Sequence, residues 1–120
     1  MQKKSSPVNI DLTPEYKKRL KELSKKYRNI RFDTQSLLTE LQNGNFIGDR
    51  LSGFGEDLFL YKVRVKNSNI KKGKSAGYRL IYLQESEISI LLLTIYSKSE
   101  REYITVDEVK AIIIANPNSF

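Results

Sequence analysis

Lys62 and Arg64 stand two apart in the run LYKVRVKN, and Arg79 lies inside GYRLIYL. Tyr96 and Lys98 are again two apart in IYSKSEREY, with Tyr103 close behind. A spacing of two puts side chains on one face of a β-strand. If the three strands run side by side, four cations and one or two phenols converge on one sheet surface. A fold keeps such cations aligned only if it leaves them wet or offers them an anion. Arginine offers a phosphate two parallel hydrogen bonds and keeps its charge at any relevant pH. A lysine crowded by other cations gives up its proton more readily, and a tyrosine stacks on a base or positions an attacking oxygen. The same residues also fit a plain solvated sheet face rich in lysine.

The residue types that are missing narrow the chemistry further. The chain has no histidine and no cysteine. The usual zinc sites and the Ser-His and Cys-His nucleophile pairs are excluded, and so is a disulfide framework. Acid–base chemistry falls to Lys, Arg, Tyr, Asp and Glu. Glu100, Glu102, Asp107 and Glu108 straddle a helix start, where the dipole stabilises acids without any metal. No metal ligands and no cofactor are expected. The GKS at 73–75 is not a phosphate-binding P-loop, because Ser68 occupies the position of the required first glycine and a strand follows.

Net charge is +7, with 21 basic and 14 acidic residues. Between Asp57 and Glu85 no acid occurs, yet Lys62, Arg64, Lys66, Lys71, Lys72, Lys74 and Arg79 all do. These seven account for the whole excess, so the charge is a local block that attracts a polyanion such as nucleic acid. Lys66, Lys71, Lys72 and Lys74 are the members of this block expected to meet such a backbone, unless they form a plain solvated surface.

The elements that must position these residues read as follows. Residues 1–6 are a frayed basic tail, and Val8, Ile10 and Leu12 mark a short strand. A helix begins at the cap Thr13 with Pro14 in its first turn, and its apolar face is Tyr16, Leu20, Leu23 and Tyr27. A second helix is expected from Asp33, with Phe32 and Leu37 as a hydrophobic staple and Gly44 as its stop. A glycine-rich loop follows, with room for a short strand. Three strands then form an antiparallel meander: one from Leu58, one from about Ala76 to Gln84, and one from Ile88 to Tyr96. Phe59, Tyr61, Val63 and Val65 share one face of the first; the last is apolar on both faces and therefore covered. A C-terminal helix starts at a Thr105/Glu108 capping box. One domain, 1–120, is expected, with no signal peptide and no run long enough to span a membrane, hence a cytoplasmic protein.

The segments LYKVRVKN, KSAGYRLIYL and LLLTIYSKSEREYIT, between Leu60 and Thr105, resemble the RelE/ParE superfamily of bacterial toxins, in particular the HigB-like branch of RelE-type mRNA endonucleases. The resemblance implies an α+β fold, with an N-terminal strand and a helical hairpin packed on an antiparallel sheet, a basic face opposite, and a C-terminal helix. It implies the toxin of a type II toxin–antitoxin system that cuts mRNA in the ribosomal A site without a metal. Its partners would be the ribosome, mRNA and an antitoxin of the helix-turn-helix, HigA-like kind, with no membrane. The family's catalytic positions fall on Lys62, Arg64, Arg79 and Lys98, with Tyr96 typical of the HigB-like motif and Tyr103 near the tyrosine of RelE-type enzymes. Ser75-Ala76-Gly77 leads tightly into the strand that bears Arg79. Two other functions share part of this pattern: a ParE-like inhibitor of DNA gyrase acting by protein contact, and a non-catalytic RNA-binding module.

Overall fold

A computed structural model describes residues 7–70 and 76–116. In chain order its elements are β1 (Asn9–Leu12), α1 (Pro14–Lys26), α2 (Ile30–Gln42), β2 (Asp49–Arg50), β3 (Phe59–Val65), β4 (Tyr78–Ser86), β5 (Ser89–Ser97) and α3 (Val106–Ile114). The basic tail 1–6 and the lysines at 71, 72 and 74 lie outside the described residues.

The five strands form one sheet in the order β1-β5-β4-β3-β2. The meander β3-β4-β5 is antiparallel as expected, and the short strand in the glycine-rich loop is β2, antiparallel to β3. β1 differs: it pairs with β5 in parallel, Asn9 opposite Ser89 through Leu12 opposite Leu92. A parallel partner needs a long crossover connection, and the helical hairpin together with the meander supplies it. The sheet is therefore mixed.

Thr13 joins two layers. Its hydroxyl oxygen accepts from the Tyr16 amide at 2.9 Å, capping α1, while the hydroxyl donates to the Leu93 carbonyl at 2.7 Å. That bond fixes the start of α1 against β5, so Tyr16 and Leu23 of α1, with Tyr27 just beyond it, turn onto the sheet. They pack with Ile30, Leu37 and Leu41 of α2 over Val63, Val65, Tyr78, Leu80, Tyr82, Leu92 and Ile95. Helix α2 begins at Ile30, three residues before the expected Asp33, and no staple forms because Phe32 is 79% exposed. Burial of Ile30 decides the start. Asp33 instead serves as a tether, its carboxylate accepting from the Ser68 amide at 2.9 Å and tying the β3–β4 connection to the helices. Gly44 stops the helix with φ +86, as its sequence position suggested.

The opposite face of the sheet carries a second apolar cluster. Leu60, Ile81, Leu83, Leu91 and Leu93 are covered there by Phe54 and by Val109 and Ile113 of α3. α3 starts at the expected capping box, with the Glu108 amide donating to Thr105 Oγ1 and the Thr105 amide donating back to Glu108 Oε1. Because α3 is short, it covers only one end of this face. Strand alternation puts Arg64, Arg79 and Tyr96 on this same face, with Tyr96 beside the start of α3.

Candidate nucleic-acid interface

The register of three adjacent strands builds the site. Arg64 of β3 stands opposite Arg79 of β4, and Arg79 stands opposite Tyr96 of β5. Neighbouring strands are about 4.8 Å apart, so the three side chains form one transverse row on the face shared with α3. Gly77 makes the row possible. A Cβ at this position would overlap the carbonyl oxygen of Val65, so only glycine lets β4 begin flush against the end of β3.

Arg79, at the middle of the row, is only 5% exposed. Its Nη1 donates to the Tyr78 carbonyl at 3.1 Å. Burial, and next the neighbouring charge of Arg64, hold its pKa below the ordinary arginine value. Arginine starts so high that the guanidinium stays ionised. Burial pushes the Tyr96 phenol upward, while Arg79 and Arg101 pull it back. Lys62, two residues before Arg64, is half-buried and shares with Tyr96 a cavity of about 60 Å³ under the start of α3.

Lys98 follows β5 directly. Its amide donates to the Gly77 carbonyl at 2.9 Å, which anchors it beside the start of β4, and its Nζ donates to the Glu102 carbonyl at 2.9 Å. The ammonium is thus turned along its own loop at the rim of the row. Lys66 lies one residue past β3 and is exposed. Tyr103 is in the loop before α3 and 65% exposed, and no side-chain contact among the described residues joins its ring to the row. The structure therefore groups Lys62, Arg64, Arg79 and Tyr96, keeps Lys98 at their edge, and leaves Tyr103 outside.

Arg101 is a member that the sequence did not reveal. Its guanidinium lies 5.7 Å from the centroid of the Tyr96 ring, within cation–π range, and its Nη2 is 2.7 Å from Glu108 Oε1. Glu108 is held down to about 2, first by the hydrogen bond from Arg101 and then by the Thr105 backbone. The pair clamps the loop that carries Lys98 to the start of α3. Arg101 sits in an aperiodic loop, so only its place five residues after an aromatic strand residue could have drawn notice.

A larger groove of about 510 Å³ lies on the other side of Tyr96, between α1 and α3, along the part of β5 that β1 does not reach. Its floor is apolar (Leu23, Ile95, Ile104, Ile112), and its charged walls are already paired. Arg19 pairs with Glu15 and Glu22, Lys26 with Glu100, and Arg101 with Glu108. A phosphate finds no open cation there. The row on the sheet is the better anion site despite the groove's size. Among the described residues, no cluster of acidic side chains is placed to hold a metal ion.

This arrangement, a hairpin on one face of the sheet and a basic row with a short helix on the other, is the RelE-like α+β fold. A solved structure that shares it is that of the E. coli toxin RelE, a double arginine mutant in the free state. It is 19% identical to this chain, with a TM-score of 0.54, over 91% of this chain and 96% of that one. No family model matches the sequence, and no curated protein does. No helix among the described residues is long and apolar enough to cross a membrane.

Proposed function

We propose that this chain is the toxin of a type II toxin–antitoxin system, a HigB-like, RelE-type endonuclease that cuts mRNA in the ribosomal A site. The observation that carries the reading is the transverse row Arg64–Arg79–Tyr96, flanked by Lys62 and Lys98. RNA cleavage by its own 2′-hydroxyl needs a proton removed there, charge stabilised on the phosphorane, and a proton given to the 5′-oxygen. Arg79 and Arg64 on adjacent strands supply the charge stabilisation. Their own repulsion favours binding an anion between them. Lys62, Lys98 and Tyr96 are the groups that handle protons or hold the attacking oxygen in place. The chain needs no metal of its own in this scheme.

The ribosome enters for an energetic reason. Lysine, arginine and tyrosine have unperturbed pKa values of about 10 or higher, so proton transfer at neutral pH is weakly driven. Positioning of the 2′-oxygen in line with the phosphate supplies roughly 7–11 kcal/mol instead, and the A site imposes that geometry on mRNA. A HigA-like antitoxin with a helix-turn-helix domain is the neutralising partner, and the domain spans the whole chain and acts in the cytoplasm. The test is to induce the protein alone and map mRNA 5′ ends in the arrested cells. New ends within translated codons, absent from untranslated transcripts, are expected. Growth arrest without such ends would overturn the reading in favour of a ParE-like gyrase inhibitor.

A further inference from the structure

The row Arg64–Arg79–Tyr96 is shaped for a phosphate, and beside it lies a feature shaped for something flat and uncharged. The cavity of about 60 Å³ next to Tyr96 is enclosed between the β2–β3 loop and the start of α3. Phe54, Val106, Val109 and the Tyr96 ring are among its walls, and Ser52 and Lys62 reach it with polar groups. Both sides of the opening are fixed. The Leu51 amide donates to the Leu60 carbonyl at 2.8 Å, and Phe54 is buried in the cluster under α3, so the loop is held at each end. Gly53, with φ +95, passes so near Val106 that a Cβ there would stand 3.1 Å from a valine methyl. The cavity is therefore preformed.

Size and polarity select its occupant. One water needs about 10–15 Å³ of such space, so the cavity takes several waters or the edge of one six-membered ring. A fused pair of rings is too large. The Thr105 hydroxyl at its border is committed to Glu108 in the capping box. The Lys62 ammonium and the Ser52 hydroxyl make no side-chain hydrogen bond or ion pair among the described residues. An ammonium only donates, so the ring it meets must carry an acceptor on the inserted edge. Arg101 covers the groove side of the Tyr96 ring, 5.7 Å from the centroid, and leaves the cavity side bare. Aromatic walls of this kind hold the bases of single-stranded RNA by stacking. Position supplies the last link. Lys62 is two residues from Arg64 on one face of β3, roughly 7 Å along the strand. Tyr96 belongs to the row and to the cavity alike. A phosphate on Arg79 and a base in the cavity thus lie within the reach of one nucleotide.

We propose that this cavity is a nucleobase subsite that takes a pyrimidine of the strand seated on the row. The O2 carbonyl, common to uracil and cytosine, accepts from Lys62, with Ser52 beside it. Ser52 and Val106, outside the row, set the size of the ring that enters. The inference rests on the reading that the row holds an RNA phosphate, and it does not require cleavage. The test measures binding of 2′-O-methyl hexamers, which cannot be cut, to the full chain by fluorescence anisotropy. Uridine, cytidine and adenosine hexamers are compared with a hexamer of abasic sugar–phosphate units.

The uridine and cytidine hexamers should bind at least ~10-fold tighter than the adenosine hexamer, the lower end of what a pocket of fixed size discriminates. The adenosine and abasic chains should bind alike. Ser52→Phe, which fills the cavity from its exposed rim, should bring uridine and cytidine down to the abasic level. Val106→Ala, which widens it, should raise the adenosine hexamer toward the pyrimidines. Arg79→Ala should weaken every hexamer alike, which reads the phosphate row separately from the subsite. Equal binding of all the hexamers by wild type would overturn the proposal and leave the cavity to an apolar side chain of a protein partner. A pyrimidine preference that survives Ser52→Phe would overturn it too. A pyrimidine preference in a protein that leaves no new mRNA ends in arrested cells would uphold the subsite and remove the nuclease. Failure of every hexamer to bind would remove the row and the subsite together.

Discussion

Replacing Arg79 separates two jobs that a buried arginine can have, holding a fold together or holding a phosphate. The structure assigns opposite signs to them. Burial and Arg64 both lower its pKa, so the charged form is less favourable in the folded chain than in the unfolded one. At neutral pH that charge works against stability, and it would cease to do so only above the folded pKa, far from working conditions. Alanine removes this penalty but also loses the packing of three methylenes, about 2.4 kcal/mol at ~0.8 kcal/mol each, and the bond to the Tyr78 carbonyl. Relief of the penalty offsets part of that loss. Methionine keeps a long apolar stem and drops the charge, so Arg79→Met should still unfold in a single cooperative urea transition. Cleavage tells a different story. Loss of one preorganised donor to transition-state charge typically costs ~10²–10³ in rate, or about 2.7–4 kcal/mol. Both variants should therefore lose that much in single-turnover cleavage of mRNA on programmed ribosomes while remaining folded. A folded Arg79→Met that cuts at close to the wild-type rate would refute the role given to this residue.

Three further substitutions probe the scaffold. Gly77→Ala should cost about 3 kcal/mol in urea unfolding, the upper end for overpacking, because a backbone carbonyl cannot rotate away from the new methyl group; an unaltered midpoint would contradict the close approach of β4 to Val65. Glu108→Gln bears on pH: the folded carboxyl, at about 2, lies below its ordinary value, so its stabilisation is complete above the unfolded pKa and disappears as pH falls toward 2. Because the carboxylate is 43% exposed, screening reduces the effect to about 1 kcal/mol, and wild type and variant should converge in stability at the acid end; a gap that persists there would mean the charge is not its source. Phe32→Ala should change the melting temperature by no more than a surface substitution does, within about 0.5 kcal/mol, and a loss above ~1 kcal/mol would restore the staple that the structure lacks.

The parts of this molecule that are legible in its sequence are those fixed by short-range alternation and capping. Period two in LYKVRVKN placed Lys62 and Arg64 on one face, and Thr13, Gly44 and the Thr105/Glu108 pair marked helix ends where they occur. The start of α2 was not legible, since Asn29 makes no side-chain cap bond and the position is set by the burial of Ile30 against residues far away in sequence. The parallel pairing of β1 is a long-range choice that four residues of alternation do not encode. In the site, period two paired Lys62 with Arg64 and Tyr96 with Lys98, while the register that lines up Arg64, Arg79 and Tyr96 is set by the strand pairing. Arg101 was not legible, because its contact with Tyr96 depends on how an aperiodic loop folds back.

The bond from Thr13 to Leu93 spans 80 residues, and this sets an order of assembly. During synthesis β1, α1 and α2 leave the ribosome first, but β5, on which β1 and α1 dock, is made after the other strands. Tyr16 and Leu23 of α1 must wait for β5 before their packing is complete, whereas Ile30 and Leu41 of α2 can first meet β3 and β4. Meanwhile β3, β4 and β5 can pair with their neighbours as each appears, since their connections are short in sequence. Contacts that close such a large loop form late and slow the final step. A chain halted before Tyr96 has Arg64 and Arg79 but lacks the phenol, Lys98 and a complete sheet. The row Arg64–Arg79–Tyr96 is therefore complete only after β5 has been made.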